Sequence, residues 1–490
     1  MVEMNLEIRN SFCKLTGDVP ANVRELVKEV LTYRNDIDAE LGQLFFQLNQ
    51  AKRFNNTKMY HMTLGRISAL KKSEWVCWFH DDVFPTGHLN IVREVVKTLS
   101  TKCREIDHRK VPTNSLVLKW NNKPHEMRYY QREMIELGLK EGRGVFEAAV
   151  GSGKSLVAGY LIKELSMVSL VIVPSVGLGL QLENDFVSWF GRHAVETVDS
   201  KRVRSGKKLA PIRIATVQTL ASLQKSGEIQ SVLKDVEALF VDEIHHAGSA
   251  SYTNLLNELD HIYYRFGFTG TFLRNDSKSL DMWGFLSNVL FRYPAHRAIE
   301  EGYLTPIEVN IHELQGKPNR SYPKEYDNNY CGSQVILNKV LEICNQSGDN
   351  EQILILVKNK DKAGLIFHEF LKMHGFDNMY ISGDDKKEVV NNTIKAFNDK
   401  RFRILIGSSV IGEGIDIKST DVLIMCQGGK SEIVIVQAVG RAVRLFEGKN
   451  IAKIHDFDFL RTKYMKKHTV QRIDIYGRNF ECPINRISCD

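Results

Sequence analysis

The stretch with the clearest chemistry is 144–158, GVFEAAVGSGKSLVA. A short apolar run meets a glycine turn, and Lys154-Ser155 opens an amphipathic segment. That is the strand, loop and helix order of a P-loop. Gly151 and Gly153, with Val150 and Ser152 beside them, let backbone N–H groups turn inward, where they and the start of the helix dipole attract phosphate. Lys154 is placed to reach β- and γ-phosphates, and the Ser155 hydroxyl to hold Mg²⁺. The pattern G-x-x-x-x-G-K-[ST] asks for Gly at 148, where this chain has Ala148. Alone, the loop indicates nucleotide binding and nothing finer. A second constellation follows at 239–245, LFVDEIH. Two adjacent carboxylates end an apolar strand, and there they would face the phosphate loop across the top of a parallel sheet. Asp242 suits Mg²⁺ coordination, and Glu243 suits orienting and deprotonating an attacking water. His245 and His246 are adjacent and cannot share a helical face, so no structural zinc is expected.

These groups need a sheet beneath them. Residues 119–300 alternate short apolar runs with helical patterns, the signature of a mainly parallel sheet with crossover helices. Strands are expected at 145–150, 169–173, 212–216, 238–242 and 266–269. Residues 335–460 repeat the style at 352–357, 379–382, 403–407, 422–426 and 453–456, without a second phosphate loop. The fold class is therefore α/β, with one parallel-sheet domain at 119–304 and another at 335–460. Residues 305–334 read as a linker, punctuated by Pro306, Gly316, Pro318 and Pro323. Residues 1–118 carry no catalytic motif and read as a small α+β accessory domain for DNA or a partner. Within it, 23–33 and 89–99 have helical periodicity, 73–81 reads as a strand and 84–87 as a turn. Trp75, Trp78 and Phe79 fit either base stacking or the core of that domain, where clustered aromatics usually go. Residues 461–490 hold seven basic and three acidic residues and read as a basic helix with an extended end.

The bulk numbers narrow the class. At 490 residues, two to four domains are expected, and 43% hydrophobic with 26% charged content is ordinary for a soluble protein. No run approaches the ~18 apolar residues of a membrane span. No secretory h-region follows Met1, and the eight cysteines lack C-x-x-C spacing. A cytoplasmic protein (host cytoplasm for a virus) with reduced thiols and no membrane partner is the expectation. The net charge of +7 is compatible with a polyanion partner and does not require one.

Asp-Glu-x-His after a P-loop resembles superfamily 2 helicases and translocases, whose other motifs can be matched in order. The resemblance implies tandem RecA-like domains using ATP and Mg²⁺. Arg128-Tyr129-Tyr130-Gln131 falls where the family reads adenine, with Gln131 at the base edge and Arg128 or Tyr130 beside it. Ser175 with Gln181, and Thr216 with Thr219, fall in its strand-contact motifs. Thr269-Gly270-Thr271 with Arg274 and Asp276 falls in the motif linking hydrolysis to domain movement, Arg274 also counting as a strand contact. In the second half, 354–359 and Ser382-Gly383-Asp384 match backbone-contact motifs. Ser409, Gly414 and Asp416 fall in a motif touching nucleotide and strand. Gln437-Ala438-Val439-Gly440-Arg441-Ala442-Val443-Arg444 resembles Q-x-x-G-R-x-x-R. On a helix Gln437, Arg441 and Arg444 share a face, and the resemblance makes the two arginines fingers for the γ-phosphate. It spans about 125–460.

More finely, the small N-terminal domain, the length and the basic C-terminal helix resemble phage branch-migration helicases of the UvsW kind, on the RecG and XPB side of the superfamily. The expectation is an ATP-dependent DNA helicase or translocase that tracks single strands and remodels forks or Holliday junctions. Three alternatives share much of the pattern: an RNA helicase with RNA as partner, a restriction-system motor subunit, and a nucleic-acid-stimulated ATPase switch that does not unwind. Residues 201–213 (KRVRSGKKLAPIR), with six basic and no acidic residues, are either a second-strand contact or a solvated loop.

Overall fold

The computed structural model describes residues 4–35, 37–54, 56–113, 115–244, 255–271, 279–358, 360–408, 417 and 419–488. The N-terminal unit is built on strands β1 (Met4–Ile8), β2 (Phe12–Thr16), β5 (Val83–Pro85) and β6 (Cys103–Asp107), in the order β5-β2-β1-β6. Two short strands, β3 (Thr32–Arg34) and β4 (Trp75–Cys77), pair separately. The helical periodicity at 23–33 and 89–99 corresponds to helices Ala21–Val30 and Leu89–Thr98, which bury Val23, Val27, Val92 and Val95. Of the expected strand 73–81, Trp75–Cys77 forms a strand, and His80 makes an isolated bridge to Val83. Phe79 is buried, while Trp78 lies partly buried beside the same core. A pair of helices, Asp38–Arg53 and Thr57–Lys72, fills a stretch where no element was expected.

This unit is docked on the next by buried polar contacts. Tyr33 and Trp78 both donate to the Asp281 carboxylate, at 2.6 and 2.7 Å. Ser11 N donates to Asp260 at 3.0 Å, and the buried Arg265 guanidinium donates to the Ser11 hydroxyl at 2.6 Å. Gly87 has no room for a side chain, because a Cβ there would overlap the Trp283 carbonyl.

The first large sheet contains β7 (Arg143–Ala148), β8 (Ser169–Val173), β9 (Val195–Thr197), β10 (Ile212–Thr216), β11 (Ala238–Val241), β12 (Tyr264–Thr269) and β13 (Val289–Tyr293). Their order is β13-β7-β12-β11-β8-β10-β9, parallel throughout. The five expected strands are present; β9 and β13 were not anticipated. Burial of both faces accounts for the continuous apolar runs, as in β7 and β8, where every residue is buried.

The second sheet contains β14 (Ile307–Gln315), β15 (Ile353–Val357), β16 (Asn378–Ile381), β17 (Ile404–Gly407), β18 (Val422–Cys426), β19 (Ala452–Leu460) and β20 (Ile484–Ser488). It is also parallel, in the order β16-β17-β15-β18-β19-β14-β20. Two expectations need correction here. The segment expected as a linker, 305–334, contains β14, paired along its whole length with β19 and on its other side with β20. Pro306 and Gly316 bound a strand rather than fill a loop. The expected tail, 461–490, supplies helix Tyr464–Phe480 and the last strand, β20. Three of its four arginines are committed to structure. Arg472 is buried and donates to Asp456 at 2.7 and 2.9 Å, where Tyr476 also donates. Arg478 pairs with Asp474, and Arg486 with Glu313.

Among the described residues no helix is long and apolar enough to cross a membrane. Because Arg472 neutralises a carboxylate with no exposed surface, Arg472→Met is expected to cost about 3–5 kcal/mol, the usual result of stranding a buried charge. Urea unfolding of the variant checks this, and adding Asp456→Asn should recover part of the loss.

Candidate active site

A cavity of about 700 Å³ opens between the two large sheets. From the first come Arg128, Gly151, Gly153, Lys154, Ser155, Asp242 and Glu243; from the second come Gln437, Arg441 and Arg444. The phosphate loop follows β7. Gly151 and Gly153 have φ of 86° and 83°, a left-handed conformation that favours glycine. Gly153 caps helix Lys154–Leu165. The Lys154 ammonium donates back to the Ala148 carbonyl at 3.2 Å.

The loop is braced from beneath. The Tyr130 hydroxyl and the Gln131 amide each donate to the Ser152 carbonyl at 2.8 Å. The Gln131 carbonyl oxygen accepts from Arg128 N at 2.8 Å. Both polar atoms of Gln131 are thus engaged, the side chain is buried, and neither it nor Tyr130 lines the cavity. For Gln131 to read a base edge, as expected, these bonds would have to be given up. Arg128 does face the cavity, its guanidinium 4.5 Å from the centre of the Tyr303 ring. Tyr303, with His125 and Leu304, was not anticipated from the sequence. It sits in the Gly302–Pro306 punctuation, and its only signal was an aromatic among turn residues.

Asp242 follows the fully buried β11. Its carboxylate accepts from Glu243 N at 3.0 Å, and Glu243 takes φ 46°, a strained conformation for a residue with a Cβ. Burial, then the Glu243 charge, push the Asp242 carboxyl up to about 7, with Lys154 opposing. This carboxylate is short of positive charge, and the Ser155 hydroxyl lines the same space. That donor set fits a hard divalent cation. Gly270, beyond β12, lies close enough that a Cβ would sit 3.1 Å from the Lys154 ammonium.

The second sheet closes the cavity through helix Glu432–Ala442. A Cβ on Gly440 would stand 2.7 Å from Val150 Cβ, so the helix backbone lies directly against the Val150 side chain. Arg441 is buried, and burial lowers the Arg444 pKa. Thr305 ties the connection down: its N–H donates to the Val443 carbonyl at 2.7 Å and its hydroxyl to the Arg444 carbonyl at 3.1 Å.

The residues expected to touch nucleic acid divide. Ser175 and Thr216 cap helices at the ends of β8 and β10, accepting from Leu178 N and Thr219 N. The Ser382 hydroxyl accepts from Asp384 N beyond β16. Gln181, expected on that surface, lines the nucleotide cavity instead. Arg274, Asp276, Ser409, Gly414, Asp416, His245 and His246 lie outside the described residues. In the basic stretch 201–213, Arg202, Arg204 and Arg213 pair with Glu196, Glu228 and Asp235, so half of its cations are neutralised locally.

Two RecA-like sheets, with a phosphate loop and carboxylates on one and paired arginines on the other, define a nucleotide-driven two-domain motor. The family described as type III restriction enzyme, res subunit, matches residues 124–274, and the helicase conserved C-terminal domain matches 335–446. Together they cover more than half of the chain. The ATP-dependent DNA helicase uvsW of Enterobacteria phage T4 is 23% identical over 394 residues, 73% of this chain and 76% of that protein. The DNA 3'-5' translocase XPB2 of Sulfurisphaera tokodaii is 22% identical over 366 residues, 65% of this chain and 79% of that one. In fold, the chain is similar to the ATP-dependent type ISP restriction-modification enzyme LlaBIII, solved bound to DNA. That likeness has a TM-score of 0.57 at 17% identity, covering 80% of this chain and 34% of that one. The chain belongs to superfamily 2, the ATP-dependent helicases and translocases.

Gln131→Ala removes the bond that braces the loop at Ser152 and the one accepted from Arg128 N, so it should slow ATP and GTP turnover by similar factors. Steady-state kinetics with both nucleotides check this; loss of ATP preference alone would restore a base-reading role. Gly440→Ala should push the arginine helix off the loop and cut kcat about a hundredfold, the order expected for a ~1 Å misplacement of catalytic groups. Nucleotide affinity, measured by fluorescent-analogue titration, should change far less.

Proposed function

We propose that this chain uses ATP hydrolysis to move along DNA and to remodel branched DNA such as forks and Holliday junctions. The observation that carries this reading is the shared cavity, in which Lys154, Asp242 and Glu243 face Arg441 and Arg444 from the opposite sheet. Its similarity to a phage protein named as an ATP-dependent DNA helicase supports the choice of DNA.

In this reading the loop amides and Lys154 hold the β- and γ-phosphates. Ser155 and Asp242 would hold Mg²⁺, which when bound neutralises phosphate charge. Glu243, on its strained backbone, orients the attacking water and accepts its proton. Arg441 and Arg444 meet the charge that develops on the γ-phosphate, a contribution worth ~10³–10⁵ in rate where arginine fingers have been studied. Arg128 and Tyr303 form the wall beside which the base lies. Because the fingers come from the second sheet, hydrolysis requires the sheets to be together, and product release lets them part. Ser175, Thr216 and Ser382, at the C-terminal ends of their strands, hold the DNA backbone without reading its sequence.

Glu243→Gln should lower DNA-stimulated ATP turnover at least a hundredfold while leaving DNA binding intact. Arg441→Ala should lower kcat with little change in ATP affinity; an effect confined to affinity would remove the finger role. Fork, Holliday-junction, tailed-duplex and RNA substrates, each with and without ATP, test the substrate class. ATP-dependent products are expected from forks and junctions, and turnover driven equally by RNA would sink the DNA assignment.

A further inference from the structure

We infer that the C-terminal end of the second sheet carries a site for a nucleic-acid backbone phosphate, formed by Tyr322, Lys358, Lys430 and His468. Tyr322 and His468 lie outside both matched family segments, in the stretches that the sequence presented as linker and tail. The inference rests on the nucleic-acid motor reading above and adds contacts to it.

Four elements converge here. Tyr322 opens helix Tyr322–Tyr330, and its ring centre lies 4.4 Å from that of His468 on helix Tyr464–Phe480. Lys358 follows β15, with its ammonium 4.7 Å from the Tyr322 ring centre. Gly428 and Gly429 follow β18 with φ of 59° and 83°, and a Cβ on Gly428 would come within 3.0 Å of the Tyr322 hydroxyl. Lys430 comes next, exposed. Ligands of parallel α/β sheets bind beyond this end of the strands. None of these residues lines the nucleotide cavity.

The cluster has positive charge and unused hydrogen-bonding groups, but its carboxylates are already engaged. Among the described residues His468 Nδ1 is buried without a hydrogen-bond partner, and the buried Tyr322 hydroxyl has no more than the Gly429 backbone beside it. Such groups are costly unless something pairs with them. Burial, and after it Arg472, Lys430 and Lys358, push the His468 pKa down to about 4, with Glu325 opposing. Glu325, the carboxylate facing the cluster, is spent on the amides of Lys463, Tyr464 and Met465 at 3.0, 2.8 and 2.8 Å. Asp456 is spent on Arg472 and Tyr476.

Around the cluster, the two helix starts present exposed Arg320, Lys324, Lys463, Lys466 and Lys467. The helices are joined where the Tyr464 hydroxyl donates to the Arg320 carbonyl at 3.1 Å. Among the described residues, no carboxylate pairs with any of these five cations, in contrast to the arginines of 201–213 and to Arg472, Arg478 and Arg486. A single small anion would need only the central cluster. A band of cations across two helices suits a chain of phosphates, whose affinity comes from charge neutralisation and counterion release.

The test uses the full chain and a labelled 20-nucleotide single-stranded DNA, with affinity measured by fluorescence anisotropy across a salt series. Tyr322→Phe deletes one hydroxyl that meets only the Gly429 backbone among the described residues, so its melting temperature should stay close to wild type. It and His468→Ala should each raise Kd about ten- to a hundredfold, the range for losing a hydrogen bond to a charged group. Lys466→Ala with Lys467→Ala should reduce the slope of log K against log salt by about 1.4, at ~0.7 per lost phosphate contact on a single strand. Unchanged Kd and slope in all three variants overturn this inference alone. A wild-type chain that binds no nucleic acid overturns the motor reading as well. Calorimetric titration with inorganic phosphate should show no Tyr322-dependent binding; saturable binding lost in Tyr322→Phe, with the DNA salt slope unaltered, would make this a single-anion site and overturn the strand assignment.

Discussion

The close approach of Gly440 to Val150 is the contact on which the chemistry of this protein depends. A triphosphate brings concentrated negative charge into a space with little water, and such charge is tolerated only where opposite charge is positioned to meet it. In the proposed mechanism the phosphate loop supplies amides and Lys154 from one sheet and leaves the outer side of the γ-phosphate to the other. A helix lying directly on the loop is placed to cover it, and Gly440, having no side chain, lets that helix come against Val150. Thr305 holds the helix end down by two hydrogen bonds, and it sits two residues from Tyr303 in the cavity wall. The connection between the sheets is thus part of the site, and any change in how the sheets meet is felt beside Arg128.

The N-terminal unit shares in this arrangement through Asp281. That carboxylate lies in the helix Ser279–Phe285, about ten residues after the Thr269–Thr271 turn beside Lys154. Tyr33 and Trp78 hold it from the other unit. Burial raises its pKa while the two donors oppose the rise, so the ionised form relies on them. The small sheet is therefore fixed to the first large sheet and moves with it.

The phosphate loop, the Asp242-Glu243 pair and the arginine helix were legible in the sequence because phosphate chemistry demands particular residue types at contiguous positions. The strands beneath them were legible because burial on both faces leaves uninterrupted apolar runs. Partnership was not legible. Gln131 has the chemistry to read a base, but nothing local says that Ser152 O and Arg128 N take up its amide. Arg472 looks like any basic residue of a polar helix until Asp456, on another element, is placed against it. Arg204 and Arg213 find Glu228 and Asp235 more than twenty residues away, so counting charge over a short window overstated the basic stretch. Pro306 and Gly316 mark the ends of a strand as readily as a loop, and β14 alternates too weakly between buried and half-buried positions to declare itself.

The position of β14 in its sheet also bears on how the chain is made. The first large sheet has all of its strands once Tyr293 is synthesised. β14 is the next strand to be made, yet both of its partners, β19 at 452–460 and β20 at 484–488, come much later in the sequence. At ~5–20 residues per second, the strand's hydrogen-bonding edges wait many seconds for their neighbours. During that interval the first sheet can already be folded and able to bind nucleotide, while the half that brings the arginines is incomplete. A nascent or truncated chain would then be a nucleotide binder that cannot fire, and it completes its motor only when the last strand is laid down.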